Sequence, residues 1–167
     1  MEEPYKSLLE KLTKLLQEEF RDKLISVVLY GSIARGDNRK DSDIDLLLVI
    51  KDLPKTITER VILFDKVERK LDDDIMRLMD KGYYVTFSPI LKTPKEAMRF
   101  SLIYMDMTED AIILYDRNGF FRKVLEKTKK RLKELGFERV WLSKKSWYWR
   151  KRDYKFGEII DFGDVLE

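Results

Sequence analysis

Leu24-Ile25-Ser26-Val27-Val28-Leu29-Tyr30, then Gly31-Ser32, then ten residues, then Asp43-Ile44-Asp45 running on into Leu46-Leu47-Leu48-Val49-Ile50: on this stretch the reading of the chain turns. Two short apolar runs bounded by turn residues read as buried strands. Asp43 and Asp45 then stand at i and i+2 of the second strand. Side chains alternate faces along a strand, so both carboxylates point the same way, roughly 6 to 7 Å apart. That separation suits one or two divalent cations.

Gly31 lets the backbone turn sharply and lets a ligand approach, and Ser32 is placed to cap a short helix running through Arg35. Exposed N–H groups there would meet an anion, and a triphosphate fits. Arg35 and Lys40 add cationic donors for phosphate oxygens, Arg35 in bidentate fashion. The segment Gly31-Ser32-Ile33-Ala34-Arg35-Gly36 has the glycine spacing of a P-loop. Asp37-Asn38 stands where Lys-Ser or Lys-Thr is needed, which excludes a Walker site.

At Gly31, Ser32, Asp43 and Asp45, with the flanks Ala34-Arg35-Gly36 and Ser42-Asp43-Ile44-Asp45-Leu46, the chain resembles the polymerase-β-like nucleotidyltransferase superfamily, in particular its minimal nucleotidyltransferase branch. A looser likeness to small archaeal members extends through Ser88-Pro89-Ile90 and Lys155-Phe156-Gly157-Glu158-Ile159-Ile160. The resemblance implies a nucleoside triphosphate, ATP first, bound with Mg²⁺ or Mn²⁺. It implies Asp43 and Asp45 as catalytic metal ligands, Gly31, Ser32, Arg35, Lys40 and Ser42 as nucleotide-binding residues, and transfer of AMP to an acceptor hydroxyl. It further implies a pairing with a small helical HEPN-type partner, as the antitoxin of a toxin–antitoxin pair.

The family's third carboxylate falls, on the Ser88-Pro89-Ile90 alignment, at Thr86. Threonine is neutral at working pH, so it neither offsets metal charge nor takes a proton. A non-catalytic nucleotide-binding or partner-binding module is therefore a second reading. Asp72-Asp73-Asp74 and Asp80 read as solvated helix surface, and Asp106, Glu109 and Asp110 as capping and turn residues between a helix and a strand.

The composition excludes whole chemistries. With no His and no Cys, there is no Ser-His-Asp triad, HExxH zinc site, thiol nucleophile or disulfide. Oxygen-ligand chemistry survives. Lys plus Arg number 34 and Asp plus Glu 31, a net charge of +3 that does not by itself imply nucleic acid. The charged fraction of 39% resembles hyperthermophile proteins rich in surface ion pairs. No run approaches the roughly 20 apolar residues of a membrane helix, and the acidic start Met1-Glu2-Glu3-Pro4 is unlike a signal peptide. These features read as a cytoplasmic protein with no membrane segment.

At 167 residues the chain reads as one domain, 1–167, with a core over about 5–136 and an extension over 137–167. Leu8, Leu9, Leu12, Leu15, Leu16 and Phe20 predict a first helix. From Pro54 a long helix carries a core stripe of Ile57, Val61, Phe64, Leu71, Ile75 and Leu78, stopped at Gly82. Tyr83 to Leu91 reads as a strand. Thr93-Pro94-Lys95-Glu96 has a capping-box pattern opening a helix to about Met105. Ala111 to Tyr115 reads as a strand, and Phe121, Val124, Leu125, Thr128, Leu132 and Leu135 as a helix ended by Gly136. The expected class is α/β (α+β): a small mixed sheet of about four to five strands with helices packed over it, the polymerase-β-like nucleotidyltransferase fold.

Lys144-Lys145-Ser146-Trp147-Tyr148-Trp149-Arg150-Lys151-Arg152 interleaves basic and aromatic residues. Such a cluster can track a nucleic-acid backbone and stack bases, or stack adenine. The alternative is that its aromatics dock on the domain while Lys and Arg face water. A nucleic-acid partner and a homo-oligomer both stay open.

Overall fold

Both apolar runs fold as strands, Leu24–Tyr30 (β1) and Ile44–Ile50 (β2), in the computed structural model, which describes residues 2–163. Met1 of the acidic start and residues 164–167 of the extension lie outside the described residues. Phe87–Lys92 (β3) and Ile112–Asp116 (β4) complete a four-stranded sheet of order β3-β2-β1-β4. β1 runs antiparallel to β2 and β4, while β2 and β3 are parallel. The sheet is mixed, as expected, because a helical crossover joins β2 to β3.

Helices cover both faces, which is why β1 and β2 read as continuous apolar runs. Leu46, Leu48 and Ile50 point into one core with Leu9, Leu12 and Leu16 of Tyr5–Phe20 (α1) and with Phe64 and Val67 of Ile57–Glu68 (α3). Leu47 and Val49 point into a second core. There they meet Tyr104 and Met107 of Ile103–Asp110 (α6), and Phe121 and Val124 of Phe120–Glu134 (α7). Asp45 has the parity of Leu47 and Val49, so its carboxylate belongs to the α6/α7 face.

Between these elements lie a short helix at Gly31–Arg35 (α2), Asp72–Met79 (α4) and Pro94–Met98 (α5). The single long helix expected from Pro54 is two helices. It starts after the Thr56 cap, whose side chain accepts from the Glu59 N–H, and a 3₁₀ turn at Arg69–Leu71 separates α3 from α4. Nor does the whole apolar stripe face the core: Ile57 is 79% exposed and Val61 39%. Both stand before Phe64, the first residue of α3 to be buried. The helix opened by the Thr93–Glu96 capping box ends at Met98 rather than Met105, and a non-helical break precedes α6. Asp72, Asp73 and Asp74 open α4, with Asp74 ion-paired to Lys11.

Asp116 anchors α7. Its Oδ1 accepts from the Ser26 hydroxyl at 2.7 Å and from the Phe121 N–H at 2.9 Å, and its Oδ2 accepts from the Arg122 N–H at 3.0 Å. One carboxylate therefore satisfies a buried hydroxyl of β1 and two orphan amides of the helix start.

After Gly136 the chain forms a separate hairpin, Phe137–Ser143 (β5) and Ser146–Lys151 (β6). Its cross-strand pairs Arg139–Trp149 and Trp141–Trp147 share the inner face, and Glu138–Arg150 and Val140–Tyr148 the outer. No described helix is long and apolar enough to cross a membrane.

Candidate functional site

Ile44 sets the geometry of the two acids. It is fully buried, and its N–H donates to the Thr86 carbonyl at 2.8 Å, so the neighbours Asp43 and Asp45 are both turned to the opposite face. Asp43 is exposed and Asp45 half-buried. Burial raises the Asp45 carboxyl above its usual range, the Asp43 charge raises it further, and Arg35 partly counters both. Two acids close enough to repel one another, one of them half-desolvated, are a donor set that a hard divalent cation would relieve.

The glycine bend lies directly across from them. β1 and β2 pair Tyr30 with Asp45, and Gly31 follows at φ +75°. A Cβ on Gly31 would lie 2.1 Å from Asp45 Oδ2. Glycine is thus required twice, by a left-handed backbone and by a carboxylate resting on its α-carbon. Tyr30 shares the pocket, and its phenol is pushed up to about 12, first by burial and then by Asp45.

The short helix starts two residues earlier than expected. Tyr30 is the N-cap residue and makes no side-chain cap bond, which puts Ser32 inside the first turn rather than at the cap. The Ser32 carbonyl accepts from the Gly36 and Asp37 N–H groups at 2.9 and 3.1 Å, closing the turn. Arg35 lies beside Asp37, Nη2 to Oδ1 at 3.3 Å, and its guanidinium carbon sits 4.7 Å from the centre of the Trp147 ring.

Two other expected residues have partners of their own. Lys40 Nζ lies 4.9 Å over the Tyr83 ring, in a cavity with Tyr5 and Asn38 that does not include Gly31. The Ser42 hydroxyl accepts from the Arg39 N–H at 2.8 Å, stitching the loop before Asp43.

The strand beside β2 starts at Phe87, four residues later than expected, and Tyr83 to Thr86 is irregular. Asp45 is paired with Ser88, and Thr86 and Ser88 share the parity of the two acids. Both are exposed hydroxyls. Among the described residues no group of three His, Cys, Asp or Glu side chains gathers, and Asp43 and Asp45 stand as a pair.

A cavity of about 190 Å³ opens beside the bend, between Tyr30, Gly31 and Arg35 on one side and Ile103, Asp106 and Asp110 on the other. Asp106 and Asp110 lie on α6 rather than in a turn, at i and i+4 and hence on one face. Asp106 Oδ1 accepts from two indole N–H groups, Trp147 at 2.8 Å and Trp149 at 2.9 Å. Asp110 Oδ2 is 2.8 Å from Arg139 Nη2, close enough for an ion pair but without hydrogen-bond geometry. A larger groove of about 820 Å³ runs between α6, α7 and the inner face of the hairpin, away from Gly31, Asp43 and Asp45. In sequence the Tyr30 side chain has no evident role, and Asp106 and Asp110 read as capping and turn residues rather than as one face of a helix. The i, i+4 spacing of the two α6 acids was the available signal, masked by the break between α5 and α6.

A four-stranded mixed sheet that sets Gly31-Ser32 against Asp43-x-Asp45 is the frame of a nucleotidyltransferase. The sequence profile described as "Nucleotidyltransferase domain" matches residues 9–114, and the chain belongs to that family. Protein MJ1305 of Methanocaldococcus jannaschii, whose name gives protein adenylyltransferase as a provisional assignment, is 31% identical over 131 residues, covering 77% of this chain and 84% of its own. A second protein of that organism with the same provisional assignment, MJ0141, is 38% identical over 53 residues, 32% of this chain and 52% of its own. Among solved structures, a toxin–antitoxin crystallised with AMP-PNP aligns with a TM-score of 0.46 at 20% identity, over 74% of this chain and 89% of its own.

Proposed function

We propose that this chain binds a nucleoside triphosphate, ATP by preference, and transfers its AMP moiety to a hydroxyl on a protein acceptor. The observation that carries the reading is the contact between Gly31 and Asp45, a bare α-carbon pressed on a carboxylate whose partner acid is two residues away. The name of the Methanocaldococcus jannaschii relative supports a protein as acceptor. Asp43 and Asp45 would hold Mg²⁺ or Mn²⁺, which when bound supplies Lewis-acid charge neutralisation at the phosphates. The bend at Gly31 and Ser32 holds the β- and γ-phosphates, and Arg35 meets their oxygens.

In the reaction the acceptor oxygen attacks the α-phosphorus, the bond from that phosphorus to the α–β bridging oxygen breaks, and pyrophosphate leaves. The hydroxyl proton passes to water, since Thr86 and Ser88 offer no carboxylate to receive it. The acceptor we infer from the sequence resemblance is a small helical HEPN-type protein, which would make the chain an antitoxin of the cytoplasm, where ATP is supplied.

The test incubates purified full-length protein with labelled ATP, Mg²⁺ and candidate acceptors. Label transfer is expected to fall roughly 10²-fold or more in Asp45→Asn, in line with removal of a principal electrostatic stabiliser. Equal transfer by wild type and variant overturns the proposal. Thr86 and Ser88 favour a second reading, nucleotide binding without transfer. Asp45-dependent binding with no label transfer to any acceptor would select it.

A further inference from the structure

We infer that the C-terminal hairpin is a working part of the nucleotide site, with Trp147 a positioning residue that holds the Arg35 guanidinium at the glycine bend. The inference rests on the nucleotide-binding reading above. The hairpin lies beyond residues 9–114, the segment matched to the family.

Five groups form a continuous chain of contacts. Asp37 faces Arg35 at 3.3 Å, and Arg35 lies 4.7 Å from the Trp147 ring centre. Arg139 lies 4.1 Å from the same ring centre and 2.8 Å from Asp110. Two guanidinium groups thus share one indole, each with its own carboxylate, and the indole cannot turn freely because its N–H is bonded to Asp106. The hairpin turn is tied to the same place, since Lys145 Nζ donates to the Asp37 carbonyl at 3.1 Å. Arg139 is 92% buried by side-chain area, and its Nε has no hydrogen-bond partner, so this side of the ring is fixed by packing.

The consequence falls on Arg35. A long, flexible side chain loses rotamer freedom when it binds an anion, and a stacking partner removes that loss in advance. The indole face is the strongest aromatic partner for a guanidinium. Stacking uses the face of the guanidinium, its Nε and Nη2 edge meets Asp37 at 3.4 and 3.3 Å, and the Nη1 N–H donors remain for phosphate oxygens.

Titration calorimetry of the full-length protein with AMP-PNP and Mg²⁺ tests this. Trp147→Ala is expected to weaken binding about tenfold and Trp147→Phe, which keeps an aromatic face, less than threefold. Arg35→Ala should weaken it at least as much as Trp147→Ala, and the double variant should bind no more weakly than Arg35→Ala alone. Tyr148→Ala, on the outer face, should bind as wild type. Because all three tryptophans lie on the hairpin, AMP-PNP should also change tryptophan emission in the wild type and not in Arg35→Ala, a readout that requires no hairpin variant to fold.

The inference is overturned by wild-type affinity in Trp147→Ala while Asp45→Asn abolishes binding, by fully additive losses in the double variant, or by unresponsive tryptophan emission. Wild-type affinity in Asp45→Asn overturns the nucleotide reading itself, and this inference with it.

Discussion

The β1–β2 pair and the β5–β6 hairpin are both antiparallel two-stranded units, and they are held by opposite means. Every residue of β1 but Tyr30 and every residue of β2 but Asp45 is buried, so position there is enforced by packing against two cores. The hairpin alternates half-buried and exposed residues along β6. It is fastened by a few directed contacts: two indole N–H bonds to Asp106, the Arg139–Asp110 pair and the Glu138–Arg150 pair. Packing fixes Asp45 to the sheet, with the exposed Asp43 just ahead of β2, whereas polar contacts set the arginine that faces them. The first kind of order is costly to disturb and the second is adjustable.

The largest effect that would test this contrast is a cavity in the packed unit. Leu47 of β2 is fully buried against the α6/α7 layer. Leu47→Ala should lower stability by about 3 kcal/mol, read from denaturant unfolding, and a loss under about 1 kcal/mol would break the comparison. Gly31→Ala comes next. With φ at +75° and Asp45 Oδ2 at 2.1 Å from the new Cβ, the substitution should cost about 1–3 kcal/mol of backbone strain and displace the carboxylate. Nucleotide affinity should fall with it, measured by calorimetry.

On the polar side, Asp106→Ala leaves two indole donors without an acceptor and should cost about 1–2 kcal/mol. Hydrogen exchange should rise in β5 and β6 while β1 and β2 stay protected. Equal loss of protection in both units would erase the distinction.

The smallest effect is one of pH. Glu96 accepts from Arg60 at 2.7 and 3.0 Å and from the Thr93 N–H, and the Arg60 guanidinium above all holds its carboxyl down at about 2 against an ordinary 4.5. A carboxyl lowered in the folded state stabilises fully above its unfolded value, and that contribution fades as pH falls from 4.5 toward 2. Because the Glu96 side chain is 41% exposed, solvent screening reduces the contribution to about 1 kcal/mol. Glu96→Gln should remove that much of the difference in stability between pH 6 and pH 2.

The packed unit was legible in the sequence because burial on both faces writes itself as uninterrupted apolar runs, and because Ile44 between two aspartates fixes their common side. What escaped were features set by distance in space. Nothing local says that Asp45 rests on Gly31, that Asp106 takes two indole N–H groups, or that Trp147 meets Arg35, more than one hundred residues earlier. The broken helix at Arg69–Leu71 was hidden because a 3₁₀ turn barely shifts the apolar period, and the exposed Ile57 because periodicity does not say where a helix overhangs the sheet.

The carboxylate of Asp116 is a mooring for everything downstream of it. An Asn there would present an amide where a second acceptor is needed, and a Glu would overshoot by a methylene. Since α7 carries the chain to the hairpin, the orientation in which Trp147 arrives at the bend is set in part at the far edge strand, through the one carboxylate that ties β1 to the start of α7.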